Sequence, residues 1–167
     1  MVIVGDNKLL IWDAATFRTI KFNPILPQVR LCRFSPDNTR FVVSFTENDL
    51  STLDFYSIII DEGQFYFELS DKINTDVSFG FISSVDFNPH INTQLVVGFS
   101  NVSPMIYDLS NPNAGFQKLY NMGEQPSYKD NYKQAVFMPD GKRVISSDYK
   151  DGVGLWPADP QDNLIYK

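Results

Sequence analysis

Three stretches decide how this chain is read. They are Val29-Arg30-Leu31-Cys32-Arg33-Phe34-Ser35-Pro36-Asp37-Asn38, Ile82-Ser83-Ser84-Val85-Asp86-Phe87-Asn88-Pro89-His90 and Tyr132-Lys133-Gln134-Ala135-Val136-Phe137-Met138-Pro139-Asp140-Gly141. Each reads as a strand ending in Phe, then one residue, then Pro, then a polar turn. The three Phe residues lie 53 and 50 positions apart. A second strand follows each Pro: Phe41-Val42-Val43-Ser44, Leu95-Val96-Val97-Gly98 and Val144-Ile145-Ser146-Ser147. A third ends in a bulky residue plus Asp or Pro: Leu53-Asp54, Tyr107-Asp108 and Trp156-Pro157. The interval from the strand-one Phe to that last residue is 20, 21 and 20 positions. A spacing held this closely over three copies marks an internal repeat.

Fourth strands are expected at Phe65–Leu69, Phe116–Tyr120 and Asn163–Lys167. Residues 1–23 fit the same template without its first strand. Val2–Gly5 matches the second strand, Lys8–Asp13 the third and Phe17–Phe22 the fourth. The repeats therefore run approximately 1–23, 29–70, 82–120 and 132–167, as one domain over 1–167. Composition agrees with strands. Phe 14, Tyr 8 and Trp 2 are abundant, and such residues suit a pleated, half-buried surface. No window shows the apolar face of a helix, and Pro and Gly are spread along the chain as punctuation.

The repeat resembles the WD-repeat β-propeller family. Trp12-Asp13 matches the dipeptide that names it, and Leu53-Asp54 and Tyr107-Asp108 are degenerate forms. Phe34-Ser35-Pro36-Asp37 and Phe137-Met138-Pro139-Asp140-Gly141 are similar to the family's exit from the first strand. Ser147–Trp156 is similar to its second-to-third-strand hairpin. The family's Gly-His dipeptide is absent, and two repeats exceed its usual length of about 40–45 residues. The resemblance implies an all-β propeller of about four four-stranded antiparallel blades, the first incomplete, forming part of a larger ring. It also implies a non-catalytic scaffold for protein–protein interaction within a multiprotein complex. Other proteins, or further chain, would complete or cover the open blades. Narrow blade ends need small residues, which Cys32, Val85 and Ala135 supply at one position and Ser44, Gly98 and Ser147 at another. Phe34, Phe87, Phe137, Trp12 and Trp156 are expected to be buried between blades.

Chemistry gives little support to other classes. With Lys plus Arg 14 against Asp plus Glu 20, the net charge is −6, which disfavours nucleic acid as a primary ligand. The single cysteine, Cys32, can form neither an internal disulfide nor a thiolate cage and reads as a buried thiol. The N-terminus lacks signal-peptide character, and no apolar run is long enough to span a membrane. An intracellular setting is expected, foremost the cytoplasm, with the nucleus and cytoskeleton as alternatives.

His90 is the sole histidine and reads as an exposed turn residue. Asp148 and Asp151 lack the calcium-loop pattern. Asn101-Val102-Ser103 reads as a chance sequon in a loop. No cofactor or metal site is expected. The alternatives are a propeller enzyme, which would need convergent acids or histidines where Leu31, Ser84 and Gln134 stand, and a phosphoinositide binder, which would need paired arginines. The candidate partner-binding residues are Tyr128, Lys129 and Asp130, in the loop entering the last repeat, with Tyr149 and Lys150 in its hairpin. Tyrosine offers rigid amphipathic area at interfaces. The template puts both loops on one rim, with Asp71–Gly80 as a further long loop there.

Overall fold

The computed structural model describes residues 2–5, 8–20, 22, 26–47, 50–118, 132–148 and 152–159. They are all-β: two 3-10 turns, Val77–Phe79 and Pro112–Ala114, are the helical elements among them. By contacts the chain divides into two compact units, Met1–Val77 and Ser78–Lys167.

The first unit holds two antiparallel sheets, hereafter blades. The first blade is β1 (Val2–Gly5), β2 (Lys8–Asp13) and β3 (Arg18–Ile20), in that order. The second is β4 (Val29–Phe34), β5 (Arg40–Glu47), β6 (Leu50–Asp61) and β7 (Gln64–Asn74). The second unit holds the third blade, β8 (Ile82–Phe87), β9 (Gln94–Phe99), β10 (Met105–Asp108) and β11 (Gln117–Lys118). Its fourth blade shows β12 (Tyr132–Phe137), β13 (Arg143–Asp148) and β14 (Val153–Pro157). The strand expected at Asn163–Lys167 lies outside the described residues.

The repeat is visible in the register. Phe34 pairs with Phe41, Phe87 with Leu95 and Phe137 with Val144. Each first strand then slips by one residue near its start, between Val29 and Leu31, Ile82 and Ser84, and Tyr132 and Gln134. Such a bulge adds twist and frees an edge locally. Beyond it, Ser44, Gly98 and Ser147 occupy one shared position, opposite Leu31, Ser84 and Gln134. The need for smallness is concrete at Gly98, where a Cβ would collide with the Ser84 hydroxyl.

The third strands correct the expected alignment. Val144 faces Trp156, Leu95 faces Tyr107, Phe41 faces Tyr56 and Val2 faces Ile11. The residues equivalent to Trp156 are thus Tyr56 and Ile11, where Leu53 and Trp12 were expected. A one-residue offset turns a strand side chain to the opposite face. Accordingly Ile11 is buried while Trp12 keeps 36% of its surface exposed. Phe87, Phe137 and Trp156 are buried and Phe34 is half-buried. A second correction concerns Asp71–Gly80: Asp71–Asn74 belongs to β7, so the loop begins at Thr75. Thr75 is buried there, its amide and hydroxyl both donating to the Ser51 carbonyl at 3.0 and 2.9 Å.

Each unit has its own core between its two blades. In the first, Leu9, Ile11 and Leu26 meet Phe41, Val43, Phe45 and Tyr56. In the second, Val96 and Ile106 of the third blade meet Ala135, Phe137, Val144 and Trp156 of the fourth. Burying one such side chain contributes about 1.5–3 kcal/mol.

Candidate functional site

Tyr128, Lys129, Asp130, Tyr149 and Lys150 lie outside the described residues. The described residues form the joints between blades within each unit and the surfaces around them.

In the second unit, β8 and the turn after it present a polar side chain at every second residue. The Ala135 amide donates to Ser84 Oγ at 2.8 Å, and Ser84 Oγ in turn donates to the Ala135 carbonyl at 3.3 Å. The Phe137 amide donates to Asp86 Oδ2 at 2.9 Å. Asn88 Nδ2 donates to the Gly141 carbonyl at 2.8 Å, and His90 Nε2 meets the Pro139 carbonyl at 2.9 Å. Strand β12 forms the edge of its sheet, and an edge strand presents unpaired amides and carbonyls. The third blade thus answers that edge with side chains where a neighbouring strand would use backbone. His90 is an exposed turn residue, as expected, and bridges to the fourth blade. Gly141 completes the turn at φ +66°, where a Cβ would also stand 2.5 Å from Asn88 Oδ1. The run Ser84-x-Asp86-x-Asn88-x-His90 was the available sequence signal: alternating polarity toward a face that a propeller buries.

The first unit uses rings. Phe22 approaches Phe41, Tyr56 and Phe67 at centroid distances of 5.6, 5.1 and 5.6 Å, all edge-on. Phe41 stacks on Tyr56 at 5.1 Å and meets Phe34 at 5.7 Å. Cys32 borders this cluster, and burial pushes its thiol up to about 12. It is half-buried, where a buried thiol was expected, and the raised value disfavours the thiolate. Asp54, only 4% exposed, accepts from the Tyr56 hydroxyl at 3.2 Å through Oδ2, while Oδ1 has no hydrogen-bond partner among the described residues. Burial raises its pKa against the opposing pull of the Lys72 charge and the Tyr56 hydroxyl.

Two clefts open beside these joints. One, of about 570 Å³ in the second unit, is lined by Ile91, Gln94, Asp108, Asn111, Lys142 and Asp159 among others. Burial pushes Asp108 up, but the Ser110 hydroxyl and amide outweigh it and hold its carboxyl below the usual range. The other, of about 290 Å³ in the first unit, is mostly apolar. Among the described residues no group of three or more His, Cys, Asp or Glu side chains is placed to hold a metal. No helix among them is long and apolar enough to cross a membrane.

The first and fourth blades each present exposed apolar side chains on the face turned from the core of their own unit. On the first blade, Leu10 and Trp12 alternate with the buried Leu9 and Ile11 and are exposed. On the fourth, Val136, Ile145 and Leu155 are cross-strand neighbours on the face opposite Ala135 and Trp156. Val136 is exposed, Val153 beside them is 74% exposed, and Ile145 and Leu155 are half-buried.

No protein-family model matches this chain. No curated protein sequence matches it either. Solved structures do. A chain from "COPII on membranes, outer coat vertex" superposes with a TM-score of 0.59 at 15% identity, over 89% of this chain and 38% of that one. A chain from "The structure of the COPII coat assembled on membranes" gives the same TM-score and identity, over 89% of this chain and 21% of that one. This chain therefore spans well under half the length of either. Identity this low carries the fold alone, which is all-β and propeller-type, built of antiparallel blades.

Proposed function

We propose that this chain is a non-catalytic interaction module of the WD-repeat type, working inside a multiprotein assembly. The observation that carries this is the apolar face left open on the first blade by Leu10 and on the fourth by Val136 and Val153. Each faces away from the companion blade of its own unit. Contiguous exposed apolar surface marks an association site, and repeat arrays left uncapped associate or precipitate. Other protein, or further blades of the same kind, covers these faces. The tyrosine-rich loops at Tyr128, Lys129 and Asp130 and at Tyr149 and Lys150 belong to the same proposal as partner-binding loops. The superposable chains come from a coat described as assembled on membranes, and a comparable cytoplasmic assembly is the setting we assign.

Light scattering on residues 1–167 tests the reading. The expected result is a mass above 19.1 kDa that falls on dilution and is reduced by Leu10→Lys or Val136→Lys. A compact monomer at every concentration overturns it.

A further inference from the structure

We propose that the 290 Å³ cleft of the first unit docks a peptide of a protein partner. That peptide inserts one aromatic or long aliphatic side chain and carries Lys or Arg beside it. The inference deepens the scaffold reading but concerns a different surface from the flanking blade faces.

The cleft lies between the β2–β3 turn of the first blade and the β6–β7 hairpin of the second. Trp12, Ile20, Phe34, Ile60, Phe65 and Phe67 line it, and among the described residues none of them is fully buried. Its volume is at the lower end for ligand sites, about 300–1,000 Å³, suited to one large side chain with neighbouring backbone. Water held among such groups finds few hydrogen-bond partners, so displacing it with an apolar group is favourable.

Among the described residues, the hairpin that forms one wall is the longest of its kind. β6 and β7 run 12 and 11 residues, whereas β10 and β11 of the third blade run 4 and 2. The extra length carries Ile60, 65% exposed, beyond anything the second blade needs for its own packing.

A second observation comes from the opposite wall. The turn Ala14–Phe17, whose Ala14 lines the cleft, holds Phe17 at φ +56° with 81% of its surface exposed. A bulky residue in the left-handed region is strained, and strain of this kind gathers at binding sites. Glycine or asparagine would make the same turn at lower cost, and the turn instead presents an exposed aromatic ring next to the cleft-lining Ala14.

Charge selects the flanks of the ligand. Asp13 lines the cleft, and the Thr16 hydroxyl at 2.5 Å with the Ala15 amide at 2.9 Å holds it in its anionic form. Asp61 and Glu62 form the exposed hairpin tip. Arg18, paired in register with Asp13, is the described cation of this turn. Among the described residues of the turn and the hairpin tip, three acids thus stand against one cation, a balance that attracts basic residues and repels acidic ones.

Fluorescence polarisation with three labelled peptides on the full chain tests the proposal. One carries Trp flanked by Lys, one Trp flanked by Glu, and one Ala flanked by Lys. The first should bind at least about tenfold more tightly than the others, and Ile60→Glu should cost a comparable factor. Ile60 is already exposed, so that change leaves folding intact, and Ile91→Glu in the second unit should have no effect. Reversing Asp61 and Glu62 to Lys should favour the Glu-flanked peptide. No binding, equal binding of the Ala peptide, or indifference to Ile60→Glu overturns the proposal. Ile60-dependent binding to phosphatidylserine vesicles in place of peptide overturns it too. Leu10 and Val136 do not line the cleft, so failure here is separable from failure of the light-scattering test.

Discussion

In the first unit, Leu9 and Ile11 of the first blade and Phe22 just beyond β3 pack on an aromatic cluster of the second blade, Phe22 meeting Phe41, Tyr56 and Phe67 edge-on. In the second, Ser84, Asp86, Asn88 and His90 reach backbone atoms of the fourth blade. The backbone repeat beneath them is shared, down to the bulge in the first strand. What differs is how a neighbouring blade is held. Ring packing contributes much free energy but tolerates sliding. Hydrogen bonds to a strand edge contribute less each, and they fix which atom faces which. The first unit is held mainly by area and the second also by register. Where area dominates, apolar surface continues outward into the cleft and hairpin. Where hydrogen bonds terminate the joint, the neighbouring cleft is mixed and polar.

The largest effect separating the joints should come from Phe41→Ala. Phe41 is fully buried and lies within 6 Å, centroid to centroid, of Phe22, Phe34, Tyr56 and Phe67. Its loss should cost about 3–5 kcal/mol, read as a lower urea midpoint. A smaller loss would mean that the cluster closes over the cavity and is not a tightly fitted joint.

Gly141→Ala comes next. It combines a positive φ with a clash against Asn88 and His90, and about 1–3 kcal/mol is expected. The cost should shrink in an Asn88→Ala background, since the nearest clashing atom is then gone and that of His90, at 2.9 Å, remains. Full additivity would place the whole effect in the backbone and the His90 contact.

Asp54→Asn should be the smallest and is seen best against pH. Asp54 has a raised folded pKa, so the native state holds its proton to higher pH than the unfolded chain does. Its contribution therefore falls as pH rises from the ordinary carboxylate range to that raised value, and is level beyond it. Lys72, Glu47 and Tyr56 are the groups acting on it. Asp54→Asn should flatten that part of the profile and leave stability at neutral pH equal or higher. A steeper profile would mean that the Lys72 attraction outweighs burial.

The first two strands of each repeat were legible because Phe-x-Pro punctuates them at nearly constant spacing. The third strands were less so. β6 continues through Phe55–Ile60 with no Gly or Pro before Gly63, so Asp54 looked like an ending when it is a buried mid-strand residue. Trp12 was misplaced for a related reason: Leu9-Leu10-Ile11-Trp12 is apolar on both faces, and pattern alone cannot choose between registers offset by one. The polar ladder was written plainly in the alternation from Ser84 to His90. Its meaning needed the neighbouring strand edge, which local sequence does not display.

Side chains of β8 take the place of a pairing strand for β12, and amide hydrogen exchange at Ala135 and Phe137 tests this most directly. Both amides donate to those side chains, at 2.8 and 2.9 Å, and exchange of an edge amide is slowed only by what it bonds. The prediction is protection of both in the parent chain. Ser84→Ala should accelerate Ala135 and Asp86→Ala should accelerate Phe137, each with little change at amides within the β12–β13 ladder. Slow exchange at both amides in the two variants would contradict the claim and leave the joint to apolar packing alone.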